Sequence, residues 1–98
     1  MARELEYLEE ALQEVEAAAH WYAERSATAA TAFSEEIDAA ESAIVRLPEA
    51  WPAFDHGTRR YLLRRFPFSV VYRVEARRIL IVAVAHARRR PGYWKMRR

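Results

Sequence analysis

The sequence predicts an α+β fold, with an N-terminal helical hairpin packed on a small, mainly antiparallel sheet of three to four strands and a basic C-terminal arm. Three observations lead there. Apolar residues recur at helical spacing through the first half, β-branched and aromatic runs fill the second, and Pro48, Pro52 and Gly57 punctuate the passage between them. At 98 residues and 11.5 kDa the chain suits one small domain over 1–98, with the hairpin at about 9–47 and the sheet and arm at about 58–98. Hydrophobic residues at 52% supply a modest core.

The elements follow in order. Leu5 and Tyr7 alternate with Glu4 and Glu6, which reads as a short edge strand. Leu8, Leu12, Val15, Ala19 and Tyr22 then form a stripe on a helix from about Glu9 to Arg25. Glu9, Glu10, Glu14 and Glu16 crowd its early turns, where the helix dipole favours acids. A second helix carries Phe33, Ile37, Ala40, Ile44 and Leu47, with Ser26 or Thr28 as N-cap and Pro48 as its stop. The stretch EAWPAFDHG reads as a loop. Arg59 to Arg65 and Ser69 to Val74 read as strands, EARR as a turn, and Ile79 to His86 as a central strand, being the most apolar segment of the chain. The arm is ARRRPGYWKMRR.

Charge divides the chain more sharply than composition does. Residues 1–50 hold twelve acids and three bases, whereas residues 51–98 hold two acids and thirteen bases, twelve of them arginine. Such a split points to an acidic or polyanionic partner for the second half. The arginine bias favours bidentate contacts to phosphate or carboxylate. Arg59, Arg60, Arg64, Arg65, Arg88 and Arg90, with Trp94 on the arm, are the candidate partner-binding residues. Alternating with tyrosines, they suit an RNA backbone and its bases; they equally suit a solvated face that touches an acidic protein.

Several function classes are excluded or disfavoured. The chain has no cysteine, so thiolate metal sites, disulfides and cysteine nucleophiles are impossible and a reducing cytoplasm is the expected setting. No metal or cofactor is expected, since GxxxxGK[ST], GxGxxG and HExxH are all missing. The apolar run Ile79–Ala85 is far short of the roughly 20 residues of a membrane helix, and MARELEYLEE does not read as a signal peptide. For metal-free RNA cleavage, arginines such as Arg73 and Arg89 can stabilise phosphate charge but cannot act as bases. Proton transfer would fall to His86, His56 or Tyr93, with His86 favoured because it ends the central strand beside the arginine run. A purely structural histidine explains that position too.

The segment RRYLLRRFPFSVVYRVEARRILIVAVAHARRRPGYWKMRR, with RFPFSVVYRV (Arg65 to Val74) and AHARRRPGYW (Ala85 to Trp94) as its most specific pieces and AAHWYAER and FSEEIDAAESAI before it, resembles toxins of the RelE/ParE superfamily. These belong to bacterial type II toxin–antitoxin modules. The resemblance implies a helical hairpin against an antiparallel sheet, a cognate antitoxin whose acidic, partly disordered segment wraps the toxin in a hetero-oligomer, and autoregulation through a DNA-binding region of that antitoxin. It also implies one of two targets. RelE-like members cut mRNA on the ribosome, and their pattern maps onto Arg65, Arg73, Arg89 and Tyr93. ParE-like members poison DNA gyrase without nuclease chemistry. The nucleases commonly use sheet lysines, and here the one lysine is Lys95, beyond the sheet. The long hairpin and the RRRPGYW ending lie closer to ParE, so gyrase is the expected target and mRNA cleavage the alternative.

Overall fold

The computed structural model describes residues 3–98. Its elements are β1 (Glu4–Tyr7), α1 (Glu9–Ala23), α2 (Ala27–Arg46), β2 (Ala53–Phe54), a 3-10 turn (Asp55–Gly57), β3 (Thr58–Leu62), β4 (Phe68–Val74) and β5 (Arg78–His86). The α+β class holds, but the sheet has five strands rather than three or four, in the order β1-β5-β4-β3-β2. β1 runs parallel to β5, pairing Leu5 with Ile79 and Tyr7 with Ile81, and the other neighbours are antiparallel. β5 is therefore an interior strand and β1 an edge, as the sequence suggests.

Local chemistry sets the helix bounds. Ser26 is the α2 cap, its hydroxyl accepting the Ala29 N–H at 3.1 Å, which satisfies one of the donors that a helix start leaves bare. α2 stops at Pro48, whose ring cannot continue the helix. Phe33, Ile37, Ala40 and Ile44 are buried as read, but Leu47 is exposed. On α1, Leu8, Val15, Ala19 and Tyr22 pack against the core as read, with Ala11 and Ala18 buried beside them, but Leu12 faces solvent at 43% exposure. The stretch expected as a loop contains β2 and the 3-10 turn, where His56 and Gly57 both take positive φ. The strand expected through Arg65 ends at Leu62, because Glu36 of α2 accepts the backbone N–H groups of Arg64 and Arg65 and pulls the chain out of the ladder.

The sheet is covered on both faces. Val70 and Tyr72 of β4 and Ile79, Ile81 and Val84 of β5 pack under the helical hairpin. On the opposite face Val71, Leu80, Val82 and Ala83 form a second buried cluster. A bulge makes that cluster possible. Tyr72 pairs with Ile81 and Val71 with Ala83, so Val82 is the extra residue, and it and Ala83 turn to one face together.

What covers the second cluster is Trp94, only 3% exposed. The C-terminal segment is thus no free arm: a series of turns folds it back across the sheet, and Trp94 packs toward Phe54 with His56 edge-on. Among the described residues no helix is long and apolar enough to cross a membrane.

Candidate functional site

The end of β5 is where the structure concentrates chemistry. His86 closes the strand, Arg88 and Arg89 follow in a turn, and the segment returns to place Tyr93 alongside. Two depressions meet there and share His86, Arg89 and Tyr93. On the helix side lies an apolar groove of about 580 Å³, walled by Ala18, Trp21 and Tyr22 of α1 and by Pro67, Phe68 and Val84. Trp21 is 51% exposed there. On the second face lies a cleft of about 120 Å³ between Phe54, Arg60, Ser69, Arg90, Gly92 and Trp94.

A four-way node organises this corner. The Glu14 carboxylate of α1 accepts from the Val84 N–H at 3.0 Å, the Tyr93 hydroxyl at 2.6 Å and both terminal nitrogens of Arg97 at 3.0 and 2.9 Å. Arg97 also donates to the Val82 carbonyl at 3.1 Å. β1 is too short to pair this half of β5, so two side chains satisfy the polar edge that the missing strand leaves open. Burial pushes the Glu14 carboxyl up, but the hydrogen bonds from Arg97, Tyr93 and Val84 outweigh it and hold it below the usual range. Burial and then the bond to Glu14 raise Tyr93 well above an ordinary phenol.

Of the residues proposed for proton or phosphate chemistry, His86, Arg89 and Tyr93 come together and Arg73 does not. Arg73 pairs with Leu80, six positions from His86 on β5, or roughly 20 Å at about 3.3 Å per residue. It lies beside Glu75, 3.6 Å from the carboxylate. The His86 Nδ1 accepts the Arg88 N–H at 3.0 Å and the ring stands edge-on to Phe68. That bond leaves Nε2 as the ring nitrogen open to another partner.

The remaining candidates scatter. Arg65 pairs with Glu36 of α2, Arg64 is exposed beside it, and Arg59 donates to the Trp51 carbonyl at 2.6 Å. Arg60 lies over the Phe54 ring and Arg89 over the Tyr93 ring. Arg88 and Arg90 are exposed. Trp94, expected on an exposed arm, is in the core and presents almost no surface to a partner.

Of the thirteen bases in the second half, only Arg65 and Arg97 pair with glutamates of the hairpin, so most of the positive charge stays available. Glu14 and Arg97 escape a sequence reading of the site. Glu14 does carry a signal, because it is an acid set on the buried stripe of Ala11, Val15 and Ala18. Arg97 carries none.

The comparisons with known proteins agree with this architecture. A solved structure described as a chromosomal ParDE TA system from P. aeruginosa superposes with a TM-score of 0.68 at 21% identity, over 87% of this chain and 96% of that one, a likeness of fold. No curated protein matches the chain. The family model described as ParE toxin of type II toxin-antitoxin system, parDE, matches residues 5–91. With nearly the whole chain matched and the hairpin, sheet and basic corner in place, the protein belongs to the ParE toxin family of type II toxin–antitoxin systems.

Proposed function

We propose that this toxin arrests growth by binding DNA gyrase through its basic half, without nuclease chemistry, and that an acidic antitoxin segment silences it by docking in the apolar groove beside α1. The state of the proton-transfer groups carries the first part. Tyr93 has its hydroxyl proton committed to Glu14 and sits well above an ordinary phenol, and the His86 Nδ1 is taken up by the Arg88 N–H. Tyr93 is thus not set to take a proton from a ribose hydroxyl, and His86 has only Nε2 left for that role. Of the two phosphate stabilisers of the nuclease reading, Arg73 lies far along the sheet and only Arg89 stays beside His86 and Tyr93.

Purified toxin at micromolar concentration is therefore expected to block gyrase supercoiling or raise cleavage-complex levels, and primer extension after induction is expected to show no codon-positioned cuts. Unchanged gyrase activity, together with cuts that vanish in His86→Ala, would move the assignment to a ribosome-dependent endonuclease.

The antitoxin part rests on the groove. It offers Trp21, Tyr22 and Phe68 to apolar anchors, with Arg89 on its margin to meet an acid. Trp21→Ala is expected to weaken antitoxin binding about tenfold or more, since exposed aromatic anchors dominate such interfaces. The dissociation constant should also rise with salt. A Trp21→Ala variant that binds as tightly as the parent would place the antitoxin elsewhere.

A further inference from the structure

Two arginines facing the second-face cleft are held in an arrangement that leaves their best donors unused. The guanidinium carbon of Arg60 on β3 is 4.2 Å from the Phe54 ring centroid, and that of Arg89 is 3.8 Å from the Tyr93 centroid. A stacked guanidinium gives its flat face to the ring, and its N–H groups radiate in the plane, where they remain free for another partner. Here no protein carboxylate takes them. Among the described residues Arg60, Arg89 and Arg90 make no ion pair, and no residue lining the cleft is acidic. Arg65, Arg73, Arg78 and Arg97 each have a carboxylate, whereas the three cations gathered at this cleft have none.

Three unpaired cations around one depression repel each other, and an anion seated between them relieves that repulsion. The cleft offers about 120 Å³, well above the roughly 10–15 Å³ that admits one water. A small oxyanion therefore fits, and Ser69 adds a hydroxyl to the lining.

From this arrangement we infer that the cleft is a phosphate site that takes one phosphodiester of a nucleic-acid backbone, clamped between Arg60 and Arg89 with Arg90 at the rim. A chain of phosphates is favoured over a lone one because the positive surface continues past the cleft. Among the described residues, Arg88, Lys95 and Arg98 are all exposed and make no ion pair. A peptide is disfavoured because the groove on the other face, at about 580 Å³ against about 120 Å³, is the roomier and more aromatic seat for apolar anchors. The inference goes beyond gyrase binding: it gives the toxin its own contact with nucleic acid.

Fluorescence anisotropy on the full chain tests it, with short labelled duplex DNA, single-stranded DNA and RNA of one sequence, each titrated at several salt concentrations. At least one probe is expected to bind, and the tightest names the source of the phosphate. Arg60→Ala and Arg89→Ala should each weaken binding about tenfold and lower the slope of log Kd against log salt by about 1. Arg77→Ala, in the distant β4–β5 turn, should change neither. Arg60→Lys keeps the charge but loses the fork, so a partial loss there carries the test even if the alanine variants fold poorly.

Three results overturn the inference. These are no binding to any probe, an Arg77→Ala loss equal to that of Arg60→Ala, and tighter arginine-dependent binding of an acidic peptide. Supercoiling assays on the same variants judge gyrase inhibition separately, so the two readings fail independently.

Discussion

Deleting residues 91–98 is expected to unfold the protein rather than to leave a sheet trimmed of an arm. Trp94 is 3% exposed and closes the cluster of Val71, Leu80, Val82 and Ala83. Truncating a buried aromatic of this size costs about 3–5 kcal/mol, against a total stability of about 5–15 kcal/mol for a typical domain. Trp94→Ala alone should therefore lower the urea midpoint severely. The deletion also removes Arg97, leaves Glu14 without its cation and exposes the Val82 carbonyl. Equilibrium urea unfolding and near-ultraviolet circular dichroism check this. A truncated chain that unfolds cooperatively within about 1 kcal/mol of the full one would show that the segment is dispensable to the core. Until then, loss of toxicity on truncation at this end reports folding and not a missing contact.

That outcome turns on a signal the sequence does carry. Ile79 to Ala85 is apolar at every position, and a strand covered on one face alone would alternate with polar residues. Such a run demands two covers. The hairpin is one, and after β5 the only large apolar residues left are Tyr93, Trp94 and Met96. Basic neighbours in ARRRPGYWKMRR mask that role, since Arg88, Arg89, Arg90, Lys95 and Arg98 are exposed while Trp94 faces inward. The one-residue error on α1 has a different cause. Ala11 and Leu12 are adjacent, both fit a helical repeat, and the larger side chain is not the one that fits the tight hairpin-to-sheet contact. The parallel pairing of β1 with β5 is a long-range choice to which neither strand's composition responds.

The candidate site was legible in kind and not in geometry. Residue type and order point to His86, Arg89 and Tyr93, and the fold does bring them to one corner. Pairing decides which arginines remain available, and pairing is tertiary. Arg65 meets Glu36, 29 positions away, and Arg97 meets Glu14, 83 positions away. Arg60 meets Phe54, which the sequence offers only as part of a loop. The electrical division of the chain is therefore real along the sequence and incomplete in space. Two hairpin acids cross to the basic half as structural fasteners. Of the cations left unpaired among the described residues, Arg60, Arg88, Arg89 and Arg90 lie at the second-face cleft and the turn after β5, while Arg59, Arg64 and Arg77 lie elsewhere.

Glu14 is the fastener with the larger expected effect. Glu14→Ala strips the acceptor from Val84 N–H, Tyr93 hydroxyl and Arg97 together, in a site where both ion-pair side chains are 16% exposed. Breaking one partner of a fully buried pair costs about 3–5 kcal/mol, and solvent at this partly covered site reduces that to about 2–4 kcal/mol. Glu14→Gln keeps an acceptor oxygen and the side-chain volume but loses the charge facing Arg97, so its loss should be about half as large.

The sign with pH follows from the direction of the shift. Glu14 is held below its ordinary value, so its contribution is complete above the unfolded carboxyl range, near 4.3, and is lost as pH falls through the lower folded value. The stability gap between the parent and Glu14→Gln should thus be full at neutral pH and close in strong acid, measured by urea unfolding across that range. A gap that widens on acidification, or none at neutral pH, would mean that Arg97 and Tyr93 hold the C-terminal segment without the carboxylate. If the gap behaves as expected, Tyr93 is anchored by α1, and the ring on which Arg89 stacks is fixed by the same contact that seals the edge of β5. A partner in the groove that disturbs Glu14 would then also alter the cleft on the opposite face, because both depressions share Tyr93 and Arg89.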